Sequence, residues 1–155
     1  MASAAATDRI PAIEGWFTLD PDAPHLLGTR CTTCNTTFFP REEQMCRNPS
    51  CAGSAFDEVE LSRTGTIWSY TNAGYQPPDP YVPVTDPYEP FAIAAVHLPA
   101  EDMVVLGQVV AGVGVEDLHT GMEMELVLDT LFVEDGTENV VWMWRPTADQ
   151  KGARS

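Results

Sequence analysis

Positive charge is what this sequence most lacks. Its 155 residues hold 8 Lys plus Arg against 23 Asp plus Glu, a net charge of −15. Lys151 is the single lysine, and between Thr64 and Trp144 thirteen acidic residues stand without one Lys or Arg. Nucleic-acid affinity rests on basic side chains that displace phosphate counterions, so this balance excludes a phosphate-backbone binder. Long apolar runs are missing too, and nothing reaches the roughly 18–20 residues that span a bilayer. Residues 1–8 carry neither a basic region nor an apolar core, which sets the expectation of a frayed tail on a cytoplasmic protein rather than a secretory signal. Disorder is excluded in turn, because 44% of the residues are apolar, enough for a real core.

Catalytic signatures are equally sparse. There is no Gly-x-Ser-x-Gly elbow, phosphate loop, dinucleotide fingerprint or zinc-protease helix. The three histidines are scattered. His97 lies in an apolar strand and reads as packed, His119 in an acidic loop reads as solvated, and His25 precedes Leu26-Leu27-Gly28 at a packed or interfacial position. The acidic pairs Glu101-Asp102, Glu116-Asp117 and Glu134-Asp135 fall in turns. No set supplies nucleophile, base and orienter together, so a stand-alone enzyme is not expected.

What is present is a cysteine pattern. Cys31-Thr-Thr-Cys34 is followed by eleven residues and then by Cys46-Arg-Asn-Pro-Ser-Cys51, which accounts for all four cysteines. A C-x2-C knuckle lets two thiolates share one tetrahedral ion while backbone N–H groups face the sulfurs. A second pair closes the site and leaves no position for substrate. Such a site is structural, and its binding energy contributes to folding. Zinc is the default ion for tetrahedral thiolates, and rubredoxin-like iron is its rival. Disulfides and unmodified thiols are the competing readings; a cytoplasmic compartment argues against the first. Phe38 and Phe39 then pack against a module with little core of its own.

Downstream the chain reads as β. Residues 64–71 alternate, with Thr66, Trp68 and Tyr70 opposite Ile67 and Ser69. Residues 91–98 and 103–110 are short apolar runs, expected to be buried on both faces. Residues 122–129 put Met122, Met124, Leu126 and Leu128 on one side. Residues 139–145 do the same with Val140, Trp142 and Trp144. One helical turn is expected near 115–119. Five short strands in this span suggest a small barrel, of OB or SH3-like type. The predicted organisation is a tail over 1–12, lead-in and ribbon over 13–62, barrel over 63–146, and a second tail over 147–155.

Two further features stand out. The link between the first two barrel strands carries six prolines between Pro77 and Pro90. Proline stiffens such a loop and lowers the entropy lost on docking. Tyr75, Tyr81 and Tyr88 give it amphipathic anchors for a partner, or for the barrel itself. The cysteine region also holds Arg30, Arg41 and Arg47. These are candidates for an anion such as a CoA phosphate, with salt pairing to Glu42, Glu43 or Asp57 as the alternative.

Taken together, Gly28-Thr-Arg-Cys-Thr-Thr-Cys34, Thr37-Phe-Phe-Pro-Arg41, Gly65-Thr-Ile-Trp-Ser-Tyr-Thr71, Pro90-Phe-Ala-Ile-Ala-Ala-Val-His-Leu98 and Leu106-Gly-Gln-Val-Val110 resemble a known family. It comprises zinc-ribbon plus OB-fold proteins associated with acyl-CoA metabolism, once called a domain of unknown function. The resemblance covers about residues 13–146. It implies a mainly β fold, with a rubredoxin-like ribbon followed by a five-stranded OB barrel. It implies a structural Zn2+ on the four cysteines. It also implies a thiolase-like partner of lipid-transfer type, in an α2β2 assembly, that makes or breaks carbon–carbon bonds in acyl-CoA thioesters. Gly15-Trp-Phe-Thr-Leu-Asp20 and the C-x4-C knuckle are similar to subunits of steroid side-chain aldolases, in which the partner supplies the catalytic residues. A free-standing acyl-CoA binder and a subunit of an acyl-CoA hydratase are the alternatives.

Overall fold

The computed structural model describes residues 8–20, 22–80, 83 and 87–147. Nine strands account for the regular structure among them: β1 (Arg9–Pro11), β2 (Leu27–Cys31), β3 (Thr37–Phe38), β4 (Phe56–Glu60), β5 (Thr64–Ala73), β6 (Phe91–Leu98), β7 (Met103–Val109), β8 (Glu123–Glu134) and β9 (Thr137–Pro146). A single 3₁₀ turn at Val115–Asp117 fulfils the helical turn expected there.

The last five strands close on themselves. Their order is β9-β7-β6-β5-β8, and β8 pairs back to β9. Counted from the first barrel strand this is 1-2-3-5-4-1, with β7 and β9 parallel and the other pairs antiparallel. That topology settles the choice between small barrels in favour of the OB type. The β8–β9 hairpin turns on Asp135 and Gly136, both at positive φ (51° and 78°), as a tight Asp-Gly turn requires. Gly107 is needed for another reason. A Cβ there would meet Trp144 Cδ1 at 2.8 Å and Trp142 Nε1 at 2.9 Å.

The alternating strands bury the faces their sequences assign. Met122, Met124, Leu126, Val140, Trp142 and Trp144 all enter the core. Two expectations differ. The alternation of β5 is broken by a bulge between Ile67 and Ser69, so Ile67 is buried while Trp68, Ser69 and Tyr70 stay exposed. β7 is not covered on both faces either: Val105 and Val109 are buried, yet Val104 and Leu106 are 41% and 64% exposed. A closed barrel covers only its inside.

The smaller sheet, β3-β2-β4, carries the cysteines. Lead-in and barrel share one core, because Phe17, Leu26 and Leu61 cluster with Ile67, Val96 and Trp142. Phe39 reaches from the ribbon to the barrel, with its ring 5.4 Å from Trp16 and 5.7 Å from Trp142. Phe38 stays within the ribbon against Phe56. Arg9–Pro11, counted with the tail in the sequence reading, pair in parallel with Glu138, Asn139 and Val140 of β9. Among the described residues no helix is long and apolar enough to cross a membrane.

Candidate metal centre

Cys31 ends β2, and Cys34 follows in a turn where Asn35 takes a positive φ of 64°. That conformation suits Asn, and the Asn35 N–H donates back to the Cys31 carbonyl at 2.9 Å. The second knuckle is tied to the first by sheet pairing, since β4 runs beside β2 from Phe56 opposite Cys31 to Glu60 opposite Leu27. Inside the wider loop, the Cys51 N–H donates to the Asn48 carbonyl and the Cys46 N–H to the Gly53 carbonyl, each at 2.9 Å. The two additional residues of the C-x4-C spacing are thereby taken up in a hydrogen-bonded turn.

This backbone brings all four sulfurs within 4.8 Å of one another. Cys31 and Cys51 stand 3.8 Å apart, and Cys34 and Cys46 3.6 Å. Four sulfurs each about 2.3 Å from one tetrahedral ion would stand about 3.8 Å apart, so the residues fit a four-thiolate metal. All four cysteines are free of disulfides.

The environment prepares thiolates unevenly. Cys34 is drawn down to about 6, chiefly by the Thr36 hydroxyl, 3.2 Å away, and then by the Thr36 amide. Cys31 is lowered by backbone N–H groups, led by that of Cys34 and including that of Thr33 at 3.4 Å. Cys46 is pushed up to about 12, mainly by desolvation. The Gly53 N–H points at Cys51 Sγ from 3.3 Å. Thr33, Thr36 and Gly53 thus serve the site without being cysteines. Their shared signal in the sequence is position, each two residues beyond a ligand, with Thr33 and Gly53 acting through backbone N–H groups and Thr36 chiefly through its hydroxyl. A closed set of four soft donors leaves no vacant position, so an ion held there would be structural.

The arginines divide. Arg41 pairs with Glu43 at 3.0 Å and Glu58 at 2.8 Å, and Arg47 with Glu42 at 2.6 Å. Glu42 also accepts the Glu43 and Gln44 N–H groups, each at 3.0 Å. Its carboxyl is held down at about 2, first by Arg47 and then by the Gln44 amide. Arg30 is exposed on β2 beside Asp57, with no ion pair among the described residues.

The tyrosines divide as well. Tyr75 is 75% exposed just beyond β5. Tyr88 is folded onto its own barrel, where its hydroxyl donates to the Ala73 carbonyl at 2.7 Å and its ring meets Phe91 edge-on. Tyr81 lies outside the described residues. The histidines are apart from one another: His25 Nδ1 is 2.9 Å from the Leu61 carbonyl, His97 Nε2 is 3.6 Å from Asp102, and His119 is exposed.

Known proteins carry the same parts in the same order. Residues 20–57 match the family model described as ChsH2, rubredoxin-like zinc ribbon domain, and residues 58–129 match that described as ChsH2, C-terminal OB-fold domain. A DUF35 domain-containing scaffold protein of Methanocaldococcus jannaschii is 32% identical over 117 residues, covering 75% of each chain. Benzoylsuccinyl-CoA thiolase subunit BbsA of Thauera aromatica is 29% identical over 121 residues, 78% of this chain and 74% of that one. Among solved structures, a chain of the Ltp2-ChsH2(DUF35) aldolase superposes with a TM-score of 0.56 at 29% identity, over 79% of this chain and 84% of that one. The chain belongs to the DUF35 family, with a zinc ribbon and an OB-fold of the ChsH2 kind.

Proposed function

We propose that this chain is a non-catalytic accessory subunit. It binds and stabilises a thiolase-like protein of lipid-transfer type that cleaves a carbon–carbon bond in an acyl-CoA. The observation that carries this reading is the commitment of every cysteine to one closed four-sulfur site. The chain's best nucleophiles are then metal ligands, and the histidines are too dispersed to act as a set. Relatives support it: one is described as a scaffold, one as a thiolase subunit, and one belongs to an aldolase complex. On this reading the ribbon holds zinc, the reaction is a retro-aldol cleavage of a steroid or fatty acyl-CoA side chain, and two copies of each subunit assemble in the cytoplasm. Of the three candidate arginines, Arg30 is the one with an open guanidinium for a CoA phosphate, because Arg41 and Arg47 are already paired.

The test is an affinity capture from the native host, followed by native mass of the complex and assay with 3-hydroxyacyl-CoA esters. A stoichiometric thiolase-fold partner, with cleavage only when both chains are present, is the expected result. A hydratase partner changes the reaction. Cleavage by the purified chain alone refutes the accessory role, and recovery without a partner moves the assignment to a free-standing acyl-CoA binder.

A further inference from the structure

The outer face of the barrel over β5, β6 and β7 exposes large apolar side chains among its threonines and serines. On β7, Val104 and Leu106 point outward and are 41% and 64% exposed. In the neighbouring strands, Leu106 lies opposite Ala95, Ala95 opposite Ser69, and Val104 opposite His97. At the β5 bulge beside that row, Trp68 is 67% exposed. Ser69, Tyr70, Thr71, Ile93, Ala95 and Leu106 line a shallow groove of about 80 Å³ there.

The face is also firmly held. The Trp142 indole N–H donates to the Leu106 carbonyl at 3.1 Å, so the most exposed leucine sits on a backbone pinned from inside the barrel. Exposed aromatics such as Trp68 are the residue type that dominates interface centres, and a backbone with little entropy left to lose lowers the cost of docking beside it.

Charge selects the occupant. No Lys or Arg falls between Thr64 and Trp144. Asp102 closes the β6–β7 hairpin at one end of the face, with its side chain 97% exposed, and Glu123 lies opposite Thr66 on β8. A second copy of a chain with net charge −15 would bring like charge to this rim, and an anionic membrane or nucleic acid would do the same. A different protein with an apolar centre and a Lys/Arg rim meets both the patch and its border.

We infer that the outer face of β5–β6–β7, centred on Trp68 and Leu106, is the surface on which the thiolase-fold partner docks through a basic-rimmed apolar patch. This inference rests on the accessory-subunit reading and adds to it where on the chain the contact is made.

The test uses the thiolase-fold protein recovered with the full chain, purified and titrated against four versions of it: wild type, Leu106→Glu, Trp68→Ser, and Val133→Glu on the β8–β9 hairpin, outside the β5–β6–β7 face, where Val133 is 59% exposed. Leu106→Glu and Trp68→Ser are expected to weaken binding by roughly 10- to 100-fold, and Val133→Glu by no more than about twofold. Metal content and melting temperature check that each variant is folded. Hydrogen exchange on the wild-type complex gives an answer that needs no variant, with slowed exchange expected in β5 and β7. Full affinity in both face variants, or protection confined to other strands, overturns the docking face and leaves the accessory role intact. If the wild-type chain binds no thiolase-fold protein, both fall. A self-dimer that Leu106→Glu dissolves assigns the face to a second copy and overturns the chosen occupant.

Discussion

Cys34 and Cys46 face each other across 3.6 Å, yet they hold their protons very differently. The Thr36 hydroxyl leads in drawing one down to about 6, and desolvation pushes the other up to about 12. A metal bound by all four sulfurs would hold both as thiolates, which would tie the ribbon's folding to its ion. Cys34→Ser and Cys46→Ser should each lose the metal and lower the melting temperature by roughly 10 °C or more. Elemental analysis beside a thermal melt checks this, and full metal content in both variants would refute the site. A second residue effect sits in the loop between the knuckles. Glu42, held at about 2 by Arg47 and the Gln44 amide, would titrate near 4.5 if unperturbed. A carboxyl whose folded value is depressed contributes stability above its unfolded value and loses it as the pH falls toward the folded one. Glu42→Gln should therefore lower stability at pH 7 and flatten the decline between about pH 4.5 and pH 2. Urea midpoints at several pH values measure it; parallel curves for variant and wild type would dismiss the Arg47 brace.

At the scale of elements, the strands that alternate were the legible ones. β8 and β9 announce their inner faces through Met124 and Leu126, with Met122 just before them, and through Val140, Trp142 and Trp144. Asp135-Gly136 announces the turn between them. The cysteine knuckles were legible for a similar reason, since local spacing alone puts two sulfurs on one ion. What stayed hidden depends on neighbours far away in sequence. The β5 bulge answers to register against β6. The bare side of β7 could not be read, because an apolar run looks the same whether one face or two is covered. Tyr88 looks like Tyr75 until the Ala73 carbonyl stands beside it. The ribbon's attachment was also only half visible, since Phe38 and Phe39 are adjacent in sequence but pack in opposite directions, one on Phe56 and the other on Trp16 and Trp142. Phe39→Ala should remove the bridging ring and cost about 1–3 kcal/mol, with the four-sulfur site still loaded. Phe38→Ala should act within the ribbon. A Phe39→Ala protein that melts like wild type would show that the ring contacts add nothing to the joint.

For the molecule as a whole, the question is whether ribbon and barrel are two folding units or one. The family models divide the chain at residues 57 and 58, but the buried side chains do not respect that border. Phe17, Leu26 and Leu61 lie before the barrel's first strand, and they are part of the same cluster as Ile67, Leu98 and Trp142. Leu26 and Leu61 are each fully buried, a contribution of roughly 1.5–3 kcal/mol apiece in lost apolar exposure. The Leu61 N–H donates to the Leu26 carbonyl at 2.9 Å, and the Arg63 guanidinium donates to the Pro24 carbonyl at 3.1 Å. A barrel cut free at residue 63 would lose all of these and open its core to water on that side. The metal-loaded chain should therefore unfold in one transition, with tryptophan fluorescence and far-ultraviolet dichroism superimposing. Trp16 and Trp142 stack at the joint and Trp144 is buried in the barrel core, so fluorescence reports on joint and core while dichroism reports on the strands throughout. Stripping the metal with a strong chelator should lower that single midpoint and not merely erase an early ribbon phase, because loosening β2 and β4 pulls on the Leu26–Leu61 pairing that closes the core. Two separated transitions in the metal-loaded protein, or a barrel midpoint that chelation leaves in place, would show instead that the shared side chains do not couple the two parts.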